Sequence, residues 1–498
     1  MPAIITNKFR LNNAEQFSES FSETANNKYY LGIGRPQPYG TLTRPDGRTD
    51  FEGTDSAPIT PGDTVVREFY TYDDLVAAKR VQSSDISFVI PRRNWTSGTV
   101  YDTYRHDYGE YVTGSTTTRQ TANSGASNLN DSTYYVLTTA RNVYKCLDNN
   151  NNATSDEEPT GVSTSVITTT DSYKWKYMYT LSASQQSNFL STDFMAVTSN
   201  SSASGDQSNV ISAAVDGSID IVKIKAGGSG GTNGTFTGVN IRGDGSGGVA
   251  TVTVAGGAVT AVAVTSPGSG YTFATISNQQ IVTAGATSLS GAELDVIIPP
   301  KGGHGANAVE ELGAFFVMLN TSLEGTESAN SGDFSAVNDF RKICLLRDPT
   351  KSSAAVTTNT ARLTKAIRIA GSPTPGTFTV DEEINQATTG AVGKVVEWDS
   401  TNRILYYIQT RHNDAGVDAN GNLTAFSGAN VITGQGGGAP TGTPEVATSG
   451  TVNNVSFTSG YSASEIDHDT GDVLYIENRT PIQRATDQTE NIKLVIEF

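Results

Sequence analysis

The chain reads as short alternating segments separated by turn residues, with few helical stripes. YYLGIG (29–34) predicts a strand that ends in the proline-rich turn RPQPYG (35–40). ISFVI (86–90) predicts a strand that Pro91 stops. STYYVL (132–137) and NVYKCL (142–147) predict two strands of one hairpin region. SYKWKYMYTL (172–181) alternates lysines with aromatics, and its period of two predicts a strand with one wet face. Two segments read as helices. LNNAEQFSESFSET (11–24) places Phe17 and Phe21 four apart on one face. TYDDLVAAKRVQ (71–82) carries acids early and bases late, as a helix dipole favours.

The pattern changes near residue 216. ATVTVAGGAVTAVAV (250–264) is two alternating strands around Gly256–Gly257, a tight hairpin signal. Residues 216–298 therefore read as a small all-β insertion, closed by Pro299–Pro300. Residues 373–445 behave similarly, with turns at TTG (388–390) and DSTN (399–402) and the glycine-rich exit GQGGGAPTGTP (434–444). The expected organisation is a discontinuous core over 1–215, 299–372 and 446–498, carrying two inserted β modules. The fold class is mainly β, of α+β type, with a few short helices.

Composition sharpens this picture. A single hydrophobic core stops growing near roughly 250–300 residues, so 498 residues predict more than one domain. Fifty glycines suit strands and turns. With 51 acidic and 34 basic residues the formal net charge is −17, which argues against nucleic acid as a partner. There is no apolar run of about 18 residues, so no membrane span is expected, and the N-terminal segment lacks a secretory pattern. Cys146 and Cys344 read as free, buried thiols of a chain folded in a reducing cytoplasm.

Most chemical motifs fail on context. GDGSGG (243–248) fits the dinucleotide spacing, but a strand follows where a helix is needed. GGSGG (227–231) fits a nucleophile elbow around Ser229 only formally, with no helix after it. The four histidines, at 106, 304, 412 and 468, point to no triad. DNNNNATSDEEP (148–159) has Asp148, Asn150 and Asn152 at calcium-loop positions, but Ala153 and Pro159 occupy the places that need glycine and glutamate. DHDTGD (467–472) and His304 read as polar turns, and the Glu310–Glu311 pair cannot be singled out as acid and base. No cofactor, metal or catalytic residue is expected.

The stretch PRRNW (91–95) stands out in so acidic a chain. Arginine offers a rigid fork and stacks on aromatics, and Arg, Trp and Tyr are enriched at interface hot spots. Arg92, Arg93, Trp95, Tyr104, Trp175 and Arg479 are accordingly the candidates for a subunit interface or an internal clamp. The residues alone leave those two readings even.

Several segments together, in order, carry a resemblance: PAIITNKFR, YYLGIGRPQPY, FVIPRRNW, VYKCLD, YKWKYMYTL, DFRKICLLRDP and LYIENRTPIQRATDQTENIKLVIEF. The set resembles the baseplate wedge subunit encoded by gene eight of T-even-type contractile-tailed phages, in the versions found in phages of cyanobacteria. It covers residues 1–215, 299–370 and 446–498. The resemblance implies a non-enzymatic virion protein with a β-sandwich core. It implies a homodimer that contacts other wedge proteins, assembles in the host cytoplasm and takes part in the change that triggers sheath contraction. The glycine-rich blocks depart from the shorter T-even members. Two other functions compete with it. A glycan-binding adhesin would use Tyr271 and Phe273 of the first insertion, and a polysaccharide-degrading enzyme would need a carboxylate pair across a groove.

Overall fold

A computed structural model describes residues 4–23, 27–41, 52–112, 114–324, 338–411, 416–483 and 489–498. The chain is mainly β, in antiparallel sheets, with few short helices. It divides into two compact units, each discontinuous in sequence. The first comprises Met1–Gln16, Ser87–Met318 and Val495–Phe498, the second Phe17–Ile86 and Leu319–Leu494.

In the first unit a four-stranded sheet runs in the order Tyr135–Leu137, Asn142–Asp148, Lys174–Thr180, Ile167–Thr168. The predicted hairpin pairs Tyr135 with Lys145 and Leu137 with Val143. The Lys174–Thr180 strand departs from expectation because it has no wet face: Trp175, Lys176, Tyr177, Met178 and Tyr179 are all buried. Val210 of the Gly205–Ala213 helix packs with Trp175 and Tyr177. Lys176 instead lies beside the charge of Asp220 and donates to the Thr164 carbonyl at 2.5 Å. The strand Ile86–Pro91 forms as predicted and pairs with Phe194–Val197, from Phe194–Pro91 to Val197–Phe88. Val89, Ile90, Tyr134, Met178, Met195 and Met318 share one core with these strands.

The glycine-rich segment of the same unit builds its own apolar cluster from residues such as Val239, Val252, Ile281 and Leu289. Strands Ser246–Ala255 and Ala258–Ser269 meet through Gly256 and Gly257, at φ +59° and +80°. Two successive left-handed residues are what a tight hairpin matching strand twist requires. The segment is not purely β: Asn278–Thr283 is a helix, begun by a reciprocal capping box between Ser277 and Gln280.

In the second unit a five-stranded sheet runs Thr360–Arg362, Leu75–Val81, Tyr29–Gly34, Phe340–Arg347, Asp472–Ile482. Tyr29–Gly34 lies at its centre and is buried throughout. The predicted helix over 71–82 is corrected here. The helix spans Val65–Asp74, capped by the Thr64 side chain, and Leu75–Val81 is a strand. The apolar run Leu75–Ala78 fills the sheet between two neighbours, which overrides its helical propensity. Asp74 serves a buried lysine, Lys342, and not the helix dipole. The first predicted helix forms over Asn7–Ser20, with Phe17 and Phe21 in edge contact at 5.1 Å; Thr24 lies outside the described residues.

A seven-stranded sheet completes this unit, in the order Thr441–Gly442, Ile432–Gly434, Glu383–Gln386, Ala391–Asp399, Ile404–Ile408, Lys365–Arg368, Tyr461–Ser462. Its last two strands come from either side of residues 373–445, so that block is bonded into a common sheet with flanking chain.

Candidate functional site

Pro91 ends its strand and turns the two arginines in different directions. The Arg92 backbone N–H donates to the Asp193 carbonyl at 2.7 Å, which extends the pairing by one residue. Its side chain donates to Asn94 Oδ1 at 3.0 Å and to the Ser191 carbonyl at 2.8 Å. Arg93 reaches the carbonyls that end the short 3-10 helix Leu129–Asp131. It donates to Ser132 O, and to Asn130 O and Asp131 O at 3.4 Å each. Its guanidinium lies 4.6 Å over the Tyr135 ring. Tyr135 in turn donates to the Pro91 carbonyl at 2.9 Å, so ring, proline and guanidinium form one closed clasp. Backbone bonds lock its far side: Leu137 N to Arg93 O at 2.7 Å and Trp95 N to Leu137 O at 2.9 Å. Trp95 is half-buried and donates from Nε1 to Ser155 Oγ at 3.1 Å. Carbonyls and one amide oxygen of the same chain thus hold both arginine side chains.

Tyr104 and Trp175 lie deeper. Tyr104 is buried, and the His304 ring meets it edge-on at 4.8 Å. The Lys145 ammonium stands 5.0 Å from the Tyr104 ring centre and pairs with Glu311, both side chains being essentially inaccessible. Glu311 Oε1 also accepts from Gly305 N at 2.8 Å and Asn307 N at 3.1 Å. Burial pushes the Lys145 pKa down, opposed by Glu311. Burial, with Lys145 and Lys176 nearby, holds His304 well below its ordinary value, so it is neutral. Trp175 is stacked on Tyr173 at 5.5 Å and meets Tyr101 edge-on. It is fully buried, and so belongs to the interior.

In the second unit Arg479 pairs with Glu477 at 3.2 Å on a partly exposed strand, and its backbone N–H donates to Tyr39 Oη at 3.1 Å. Tyr39 Oη donates to the Arg341 carbonyl. Arg341 grips Asp55 with both arms at 3.0 Å and the Pro36 carbonyl at 2.8 Å. Beside it lies a buried charge network: Arg35 to Glu52 at 2.7 Å, Lys342 to Asp74 at 2.8 Å, and Arg67 to Glu52. These clusters were not singled out from the sequence. Lys145 and Lys342 each sit inside an apolar strand (VYKCL, FRKICLL), which was the available signal.

None of the dismissed motifs assembles. Burial raises both thiols, Cys344 to about 12 and Cys146 well above its ordinary value, so neither is an activated nucleophile. Three charged or titratable side chains of DHDTGD face different partners: Asp467 pairs with Lys351 at 2.7 Å, Asp472 with Arg347, and His468 lies 3.0 Å from Asp73. No cluster of three metal-ligating side chains exists among the described residues, and His412 lies outside them. Among those residues no helix is long and apolar enough to cross a membrane. Tyr271 is buried, with its hydroxyl donating to Ile241 O at 3.0 Å, so Phe273 stands without the second aromatic a sugar platform would need.

The family model described as Phage-Gp8, Bacteriophage T4 Gp8, matches residues 3–210 and 443–498, together just over half of the chain. No curated protein matches it.

Proposed function

The chain belongs to the Phage-Gp8 family and is a structural protein of a phage baseplate; on that premise we propose that it is a wedge subunit acting through protein–protein contacts. The match to residues at both ends of the chain is the observation that carries this reading. The candidate residues support it, because their chemistry is spent on shape. Arg93 ties a strand end to a turn, and Lys145 ties a strand to the 308–311 helix. The Lys145–Glu311 pair is buried and charge-paired, and the Arg93 fork is taken up by carbonyls of its own chain, so both hold elements in one arrangement.

In this proposal the subunit is a homodimer, contacts other wedge proteins, binds neither nucleic acid nor membrane, and passes on the baseplate change that triggers sheath contraction. The glycine-rich module of residues 216–298 lies outside the matched residues and is an addition to the family framework, whereas Phe340–Arg347, also unmatched, is part of the central sheet. Light scattering of the purified chain at micromolar concentration tests the dimer, and a monomer there removes it. A map of assembled baseplates tests the position. Absence of the chain from the wedge overturns the reading.

A further inference from the structure

A cavity of about 280 Å³ in the second unit is lined by charged groups of both signs. Asp73 is buried, its side chain only 1% exposed; Oδ1 lies 3.0 Å from His468 Nε2, while Oδ2 has no hydrogen-bond partner. Lys365 also lines the cavity, its Nζ donating to Gln409 Oε1 at 2.7 Å. Arg411 lies 4.4 Å over the Phe69 ring, with its Nε donor likewise unpartnered. A buried carboxylate oxygen without a donor is costly, as is a buried donor without an acceptor. The site therefore presents an unmet acceptor at Asp73 Oδ2 and an unmet donor at Arg411 Nε, with His468 Nε2 also lacking a hydrogen bond despite its closeness to Asp73, and two positive charges stand against one negative.

That pattern selects among ligands. A simple anion gains from Lys365 and Arg411 but is repelled by Asp73. A simple amine meets the reverse. A molecule with a carboxylate and a nearby donor satisfies both ends. The volume is near the small end of the roughly 300–1,000 Å³ typical of ligand pockets, which favours a molecule of few heavy atoms. We propose that this cavity binds a small amino- or hydroxy-carboxylate, its carboxylate against Lys365 and Arg411 and its donor on Asp73 Oδ2. Burial lowers the pKa of Lys365, as do the neighbouring charges of Arg411 and Lys351, with Asp73 opposing, so a ligand carboxylate would add a second negative charge beside the ammonium.

The test is calorimetric titration of the full chain with four probes of one skeleton: alanine, lactate, propionate and ethylamine. Alanine or lactate is expected to bind saturably, one per chain, and the stronger of the two identifies the donor as ammonium or hydroxyl. Propionate and ethylamine are expected to bind at least about tenfold more weakly. Asp73→Asn and Lys365→Met should each abolish the preference. Leu423→Trp, which fills the cavity from its half-exposed wall and leaves the Asp73–His468 pair in place, should abolish binding in a chain whose circular dichroism is unchanged. Three results overturn the site: no binding of either alanine or lactate, which leaves the cavity to water; propionate binding as tightly as they do; or binding that survives Leu423→Trp. The site involves no baseplate neighbour, so its failure would leave the assembly role intact.

Discussion

The Lys145–Glu311 pair gives the sharpest energetic prediction. Both side chains are essentially inaccessible, so neither can turn to water when its partner is removed. Removing one member of such a pair costs about 3–5 kcal/mol. Lys145→Met should fall near the lower end, about 3 kcal/mol, because Glu311 keeps the amides of Gly305 and Asn307. Glu311→Gln should fall nearer about 5 kcal/mol, because Lys145 then keeps only the Tyr104 ring and the more distant Asp220. In the double variant both positions are neutral, and the carboxamide that replaces the Glu311 carboxylate still accepts from the two backbone amides. Its cost should be about 1–2 kcal/mol, leaving a coupling energy larger than any surface pair would give. The assay must report on one unit, since a chain of two units has no single unfolding free energy. Tryptophan fluorescence in urea serves, in a Trp398→Phe background, because Trp95 and Trp175 both belong to the first unit. Single variants costing under about 1 kcal/mol, or a double variant equal to their sum, would refute the claim that this pair is held by mutual charge.

Arg93→Ala should destabilise the first unit by about 1–3 kcal/mol, losing half-buried bonds to carbonyls and the Tyr135 ring, with Arg92→Ala costing less; a change within about 0.5 kcal/mol for Arg93 in the same urea assay would make the clasp ornamental. Asp102 gives a pH prediction. Burial raises its pKa, but bonds from Ser124 and Thr133 outweigh this and leave it below the ordinary carboxylate value. A depressed folded pKa contributes stability that is present above the unfolded value of about 3.9 and is lost as pH falls through the folded one. Acid unfolding below about pH 4 should therefore be shallower in Asp102→Asn, and an unchanged acid limb would contradict it. Gly34→Ala should cost the second unit about 1–3 kcal/mol or more, because the new Cβ would meet the Asp74 carbonyl oxygen at 2.6 Å and Leu75 Cα at 2.9 Å; hydrogen exchange of the Tyr29–Gly34 amides checks this, and unaltered protection would count against it.

Local signals were legible where the neighbours in space are neighbours in sequence. The Gly256–Gly257 hairpin, the strand closed by Pro91 and the central Tyr29–Gly34 strand all form as the residue pattern implies. The Ala183–Phe189 and Asn278–Thr283 helices were missed although each begins with a readable Ser-x-x-Gln box, Ser182–Gln185 and Ser277–Gln280. What failed was any inference that needed a distant partner. Residues 71–82 read as one helix because nothing local shows that Leu75–Val81 is flanked by strands near residues 30 and 361. The lysines of YKWKYMYT implied water, because Asp220 and Thr164 are not visible from that strand.

The same reason explains why the arginine pair was located but its role was not. A guanidinium is indifferent to whether its acceptor is a carboxylate, a carbonyl or a neighbouring subunit, so residue type alone cannot choose. Arg93 finds carbonyls 37–39 residues further along, at the end of a short helix, where it bonds the backbone oxygens of Asn130, Asp131 and Ser132, and backbone oxygens are the same in every residue type. Carbonyl acceptors also leave the arginine charge uncancelled. Arg92 and Arg93 are each half-buried, so they keep two positive charges at the surface of a chain whose formal net charge is −17. An internal clasp and a docking point are therefore compatible in one pair of residues. The clasp fixes the orientation of the forks, and a partner's carboxylate would meet charges already held in place, at less entropic cost than two free side chains would impose.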